Sequence, residues 1–280
     1  MLTICPTPIG NLDDVSARQR DALAGADIIA CEDTRRTGKL LEHLGIERTE
    51  GQPRLVPYHE HNEREAAQKL LEPIRKGESV VLVSDAGTPA ISDPGYELVR
   101  RVVEANLPMT ALPGPVAAMV ALSASGLPTD AFQFRGFPPS KSGKRRSFLE
   151  EVETTELTTI LYEAPHRVRE LVADIVDVYG ADRRICVARE LTKMHEEYLR
   201  GGASEIVDEL DDREEIRGEF VVLIGPGAEV KADDEIIDAK IEELLARGLS
   251  HRTIKEVIAE LFEIPRSELY ERIEAVEESD

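Results

Sequence analysis

The stretch Val80-Val81-Leu82-Val83-Ser84-Asp85-Ala86-Gly87-Thr88-Pro89-Ala90-Ile91-Ser92-Asp93-Pro94-Gly95 holds the parts of a ligand cradle. Gly87 lets backbone come close to a ligand. Asp85 offers a carboxylate to hydroxyls or to an amine, and Pro89 and Pro94 stiffen the turn. The same residues also suit an ordinary strand-to-helix connection, with Asp93-Pro94-Gly95 as a helix-start turn. Glu32-Asp33-Thr34-Arg35-Arg36-Thr37 reads either as a helix cap with solvated charges or as a substrate-facing rim. Lys141, Lys144, Arg145 and Arg146 form the only dense basic cluster of an acidic chain. With Gly and Ser between them they read as a flexible, phosphate-contacting loop. His59 and His61 flank Glu60 with no second ligand cluster, which favours surface or substrate contacts over a metal site.

These groups need elements to carry them. The run Val80–Val83 predicts a strand buried on both faces, and 97–105 a helix with apolar positions three and four apart. Strand, loop, helix is the setting in which open α/β sheets place ligands at strand carboxyl ends. Further strands are expected over 2–9, 26–31, 55–58, 109–112, 132–137, 158–163, 184–188 and 220–224. Helices are expected over 13–24 (capped by Asp13 or Asp14), 37–44 (Leu40, Leu41 and Leu44 on one face), from Ala66 to Ile74, over 116–125 and over 168–178. Pro113-Gly114-Pro115 is a stiff corner and marks a domain boundary. Residues 228–234 read as a polar linker. The tail is helical: Ile254, Val257, Ile258 and Leu261 follow the helix template, as do Leu269, Ile273 and Val276. Such a pair resembles a helix-turn-helix, but its acidity favours packing or dimerisation over reading DNA.

At 280 residues with 41% apolar content, two domains with a real core are expected. No apolar run approaches membrane-spanning length, and the N-terminus lacks the basic region and long apolar stretch of a leader. Cys5, Cys31 and Cys186 are odd in number and not spaced for metal, as reduced cytosolic thiols would be. A net charge of −21 opposes nonspecific nucleic-acid binding and favours solubility. Spread along the chain, it suggests adaptation to high salt.

Eight blocks in order then carry a resemblance along essentially the whole chain. They are Thr7-Pro8-Ile9-Gly10-Asn11-Leu12, Glu32-Asp33-Thr34-Arg35, Tyr58-His59-Glu60-His61-Asn62, Ser84-Asp85-Ala86-Gly87-Thr88-Pro89, Ile91-Ser92-Asp93-Pro94-Gly95, Pro113-Gly114-Pro115, Tyr162-Glu163-Ala164-Pro165-His166-Arg167 and Ala188-Arg189-Glu190-Leu191-Thr192-Lys193. The chain resembles the small-subunit ribosomal RNA methyltransferases of the tetrapyrrole methylase superfamily. The resemblance implies two α/β domains (1–113 and 114–230) with S-adenosylmethionine in the cleft between them, and a small helical domain over 231–280. It implies a cytoplasmic homodimer that 2′-O-methylates a cytidine in the decoding region of 16S rRNA, on assembled small subunits. Carried over by position, the cofactor cleft takes in Pro8, Asp85, Ala86, Gly87, Thr88, Pro89, Ile91, Val116, Ala117, Tyr162 and Leu191. Val116 departs from the family, where a serine usually follows Pro-Gly-Pro. If that serine binds the cofactor, the chain lacks a hydrogen bond worth about 1 kcal/mol.

Methyl transfer from a sulfonium is an in-line displacement, so oxygen, methyl carbon and sulfur must be aligned and water excluded. A ribose hydroxyl needs a nearby base or polarising cation. Glu190 and Lys193 at one strand end, Asp33 and Arg35 at another, and His166 are the candidates. Each also suits an ion pair that holds a loop. No metal is expected. The rivals are methylation of a small tetrapyrrole-like substrate and a non-catalytic ribosome assembly factor.

Overall fold

The computed structural model describes residues 1–48, 53–153, 157–227, 234–262 and 269–277. The chain separates into two compact units, Met1–Pro226 and Gly227–Asp280.

The first unit begins with a parallel sheet. Its strands are β1 (Leu2–Ile4), β2 (Ile28–Cys31), β3 (Arg54–Pro57), β4 (Val80–Leu82) and β5 (Met109–Ala111), in the order β3-β2-β4-β1-β5. Helices α1 (Ala17–Ala24), α2 (Thr34–His43), α3 (Glu63–Arg75) and α4 (Tyr96–Glu104) connect them. Strand β4 is buried along its length, as a central parallel strand covered on both faces must be. One face packs on Leu70, Leu71, Leu98 and Val102, the other on Leu23, Leu41 and Val83. From β1 the chain crosses to β2 on one side; from β4 it crosses to β5 on the other. The carboxyl ends of the neighbouring strands β1 and β4 are therefore the point where the winding reverses, and a crevice opens there.

Helix α5 (Ala117–Ser125) leads to a mixed sheet of β6 (Phe132–Phe134), β7 (Thr158–Glu163), β8 (Arg184–Arg189), β9 (Glu197–Gly202) and β10 (Phe220–Ile224), ordered β6-β7-β10-β8-β9. Only β6 and β7 are parallel. Because β10 runs antiparallel to both β7 and β8, its start lies beside their ends, with Phe220 opposite Glu163 and Arg189. Helices α6 (Ser142–Glu153), α7 (Val168–Tyr179) and α8 (Ala203–Asp211) cover one face through Leu149, Leu171, Ile175 and Ile206. Helix α5 covers the other, where Ile9 from the first sheet's loop joins Ala118, Ala188, Leu191 and Val221.

The second unit holds α9 (Asp234–Ala246), α10 (His251–Phe262) and α11 (Leu269–Glu277) around Ile237, Ile241, Ile254, Ile258, Leu269 and Ile273.

Several expectations need correction. Asp13 and Asp14 cap no α-helix. They sit in a short 3-10 turn begun by Asn11, and α1 starts later because Ser16 and Gln19 cap each other reciprocally. Helix α2 starts at Thr34 rather than 37, because Asp33 accepts the Arg35 N–H at 2.8 Å. Strand β9 and helices α8 and α9 were not anticipated, and α9 makes the tail a three-helix cluster rather than a pair. Leu261 is exposed, off the apolar face it was assigned to. The linker expected over 228–234 lies outside the described residues except for Asp234, which opens α9.

The basic cluster is no flexible loop. Ser142 to Arg146 form the first turns of α6. Arg145 is 1% exposed, with its guanidinium 2.6 Å from Asp174 and 3.2 Å from Glu170. Arg146 pairs with Asp174 at 2.7 Å and with Asp177. Arg145 is thus a core ion-pair residue closed to phosphate, and Arg146 is engaged by two carboxylates of α7. Lys141 and Lys144 remain exposed.

Candidate active site

The crevice between β1 and β4 is built from two loops. Thr7 and Gly87 bridge in antiparallel fashion, with reciprocal backbone bonds of 2.9 and 3.0 Å, and the Thr7 hydroxyl donates to the Ser84 carbonyl at 3.1 Å. Gly87 has a φ of +83°, and a Cβ there would stand 3.3 Å from Ile9 Cγ2. Glycine thus serves both the left-handed turn and the close approach. Thr88 ties the loop to the proline corner, donating its hydroxyl to the Pro115 carbonyl at 2.9 Å.

The second sheet closes the crevice. The end of β7 brings Tyr162 and Glu163, the segment after β8 brings Leu191, and the approach to β10 brings Gly218 and Glu219. Gly10 fits against this segment so tightly that a Cβ would meet Lys193 Cγ at 2.5 Å and the Leu191 carbonyl at 2.9 Å. A mainly apolar cavity of about 380 Å³ results, within the usual size of ligand sites. Backbone strain concentrates around it. Ala90, Ser92, Glu190 and Thr192 all have positive φ, of 68°, 61°, 50° and 64°. For side-chain-bearing residues this conformation costs energy and gathers at functional sites.

Eight of the residues expected at a cofactor line the cavity: Ala86, Gly87, Thr88, Ile91, Val116, Ala117, Tyr162 and Leu191. Pro8, Asp85 and Pro89 do not. The Asp85 carboxylate is engaged by the Asp33 N–H at 3.0 Å and by Arg36 at 3.3 Å. Val116 is the N-cap of α5 and gives it no side-chain hydrogen bond. The Tyr162 hydroxyl instead accepts the Ala118 N–H at 3.2 Å.

None of the five candidate catalytic side chains lines the cavity. Asp33 caps α2 and is held down to about 2 by hydrogen bonds from Arg35, so it is no proton acceptor near neutrality. Glu190 and Glu219 hold Lys193 at 2.8 and 2.9 Å. The Lys193 hydrogen bond, above all, keeps the Glu190 carboxyl below its ordinary value. Of that trio only Glu219 reaches the wall. His166 is exposed beyond Pro165. Among the described residues, no group of three or more His, Cys, Asp or Glu is arranged to hold a metal. His59 and His61 stack edge to face, their ring centroids 5.9 Å apart.

The wall also contains residues that sequence reasoning did not single out. Asp93 is pushed up to about 7, mostly by burial and then by the charges of Glu32 and Asp85. Glu163 is also raised by burial, although Arg167 lies 3.1 Å from it. Phe137 is 59% exposed at the cavity while its ring meets Tyr162 edge to face at 5.7 Å. The signals for Asp93 and Phe137 were present, as a carboxylate in a helix-start turn and as the last aromatic of an alternating strand.

Comparison with known proteins agrees with this architecture. The family described as Tetrapyrrole (Corrin/Porphyrin) Methylases matches residues 1–207. The methyltransferase CobJ shares the fold at a TM-score of 0.60 and 21% identity, over 81% of this chain and 94% of its own. Diphthine synthase does so at 0.59 and 14%, over 80% and 89%. Similarity in sequence is closer to proteins named ribosomal RNA small subunit methyltransferase I. That of Micromonospora olivasterospora is 42% identical over 97% of this chain and 86% of the relative. That of Escherichia coli O157:H7 is 42% identical over 96% and 93%. The chain therefore belongs to the tetrapyrrole methylase family and, within it, to the ribosomal RNA small subunit methyltransferase I group.

Proposed function

We propose that this protein uses S-adenosylmethionine to methylate the ribose 2′-oxygen of a cytidine in the decoding region of 16S rRNA. It acts on the small ribosomal subunit, in the cytoplasm, as a homodimer. The observation that carries this reading is the apolar cavity at the winding reversal, in a chain that matches ribosomal RNA small subunit methyltransferase I relatives along nearly its whole length.

The cavity residues fit the cofactor. Gly87 presents backbone where a side chain would crowd Ile9, and the walls at Ile91, Val116, Ala117 and Leu191 suit an apolar nucleoside face. When bound there, the cofactor supplies a methyl group already activated on a sulfonium. Pro8, Asp85 and Pro89 support the loop rather than touch the ligand. Glu190 and Lys193 act one step away as positioning residues through Glu219, while Arg35 pairs with the Asp33 side chain that caps α2, and the Asp33 backbone N–H holds Asp85 in the loop behind the cavity. Phe137 offers an exposed aromatic face on which an unstacked base can rest, the usual way proteins take single-stranded RNA. Lys141 and Lys144 are placed to meet phosphates.

The homodimer finds a candidate surface at β5. This edge strand exposes all three residues, and Val103 on α4 is 61% exposed nearby in the chain. Uncovered edges of this kind invite pairing. Among the described residues, no helix is long and apolar enough to cross a membrane.

The test is methyl transfer from labelled S-adenosylmethionine to small subunits lacking their native methylations, with the product nucleosides identified and porphyrinoids assayed in parallel. Label in 2′-O-methylcytidine is the expected result. Label only in the porphyrinoid, or cofactor binding with no transfer to either, would discard the reading.

A further inference from the structure

Three carboxylates line the cavity, and their surroundings set them apart. Glu163 is closed off by Arg167 at 3.1 Å and accepts the Ala164 N–H at 2.8 Å. Glu219 is 78% exposed and held by Lys193 at 2.9 Å. Asp93 alone of the three makes no ion pair among the described residues. It follows Ser92, which has a φ of 61° and lines the same cavity. The groups that face it are Glu32 from the end of β2, Asp85 and the Ser84 hydroxyl from the end of β4, and the Tyr162 phenol from β7. Both charged neighbours are acidic, and Arg36, which acts on Glu32, is paired with Asp85 at 3.3 Å.

The geometry points to Asp93 as the catalytic base that takes the proton from the attacking ribose hydroxyl, an inference that rests on the function proposed above. The transfer balances without another reactant. The hydroxyl oxygen forms a bond to the methyl carbon as the sulfur–methyl bond breaks. The sulfonium leaves as a neutral thioether, and the hydroxyl proton ends on the Asp93 carboxylate. A carboxylate without a cation partner, crowded by like charge, has the proton affinity this step needs. A base works best when its affinity lies near the operating pH, and burial with Glu32 and Asp85 brings Asp93 to about 7. Glu163, although burial raises it, is closed off by Arg167 at 3.1 Å, and Glu219 is held by Lys193 at 2.9 Å, so neither carboxylate is free to take the proton.

The experiment compares wild type, Asp93→Asn and Glu32→Gln in single-turnover methylation of undermethylated subunits, from about pH 5.5 to pH 9. Cofactor binding is measured by calorimetry on the same samples, and folding by thermal melting. Wild type should lose activity tenfold per pH unit below a limb near 7. Asp93→Asn should bind cofactor within a few-fold of wild type, yet react about 10²- to 10⁴-fold more slowly, with the limb gone. Glu32→Gln keeps the base and removes a neighbouring charge, so its limb should move to lower pH. Should Asp93→Asn fail to fold, the Glu32→Gln shift still decides. An Asp93→Asn rate within about threefold of wild type, or a limb that ignores Glu32→Gln, overturns the assignment. Wild type that binds cofactor but labels no ribose overturns the proposed function itself, and the assignment with it.

Discussion

Asp93 is expensive to keep, and its cost is measurable without any substrate. Its carboxyl is raised from 3.8 to about 7 by burial and by Glu32 and Asp85. A group whose folded value lies above its unfolded value binds a proton on folding. Its contribution to stability is therefore intact below about 3.8, falls as pH rises through the window, and is lowest above about 7. Asp93→Asn removes the titration. The variant should melt above wild type at pH 8 and close to it at pH 4, and equal gaps at both would show that the carboxyl is not perturbed. Asp93 was visible in the sequence as part of a turn. Its chemistry was not, because that depends on two other carboxylates arriving from the ends of β2 and β4. For the same reason Asp33 and Glu190 looked catalytic, while the fold spends them on a helix cap and an ion pair. Residues at strand ends are easy to nominate, but which of them faces the cavity is decided by tertiary contacts.

The elements themselves were largely legible. Apolar runs and helical spacing mark β2, β4, β7, β8 and β10 and helices α3, α4, α5 and α7, because burial imposes those periods directly. What escaped has identifiable causes. Strand β9, Glu-Tyr-Leu-Arg-Gly-Gly, ends in glycines that weaken the strand signal. Helix α6 hides among lysines and arginines, since composition does not say which cation turns inward. Arg145 does, and α7 supplies Asp174, itself only 5% exposed, to receive it. Burial alone would raise the Asp174 carboxyl, but the bonds from Arg146 and Arg145 outweigh it and hold it below its ordinary value. Asp174→Ala would leave Arg145 buried with Glu170 at 3.2 Å and the Ser140 carbonyl at 3.4 Å as its remaining hydrogen-bond partners among the described residues. Removing one partner of a buried pair typically costs about 3–5 kcal/mol. Denaturant unfolding should show a loss of that order, while Lys144→Ala, an exposed residue of the same helix, stays within about 0.5 kcal/mol. A loss below about 1 kcal/mol for Asp174→Ala would mean that the pair is not load-sharing between α6 and α7.

At the scale of the whole molecule, charge sets the terms on which this enzyme meets RNA. The chain carries 55 acidic and 34 basic side chains, a net −21 that repels both itself and a phosphate backbone. Two of the four cations of the basic cluster are paired with carboxylates of α7, which leaves Lys141 and Lys144 exposed and, in the function proposed above, available to phosphate. On that proposal, recognition leans on shape and on stacking at Phe137, contributions that salt does not screen. Raising ionic strength from about 0.1 to 1 M shortens the screening length from about 10 to 3 Å, which relieves self-repulsion across the surface. The midpoint of melting should therefore climb with potassium chloride, by about 2–4 °C for each kcal/mol relieved in a unit of this size. Subunit binding should weaken only shallowly over the same range, because few counterions are released when few phosphates are held. The two slopes together identify the cause. A midpoint indifferent to salt would mean that the acidic surface is already well hydrated and unstrained at low salt, and adaptation to high salt would be the wrong explanation. A steep loss of binding would mean that cations beyond Lys141 and Lys144 hold the RNA. The exposed Arg35 and Arg36, beside the crevice at the start of α2, would be the first to substitute.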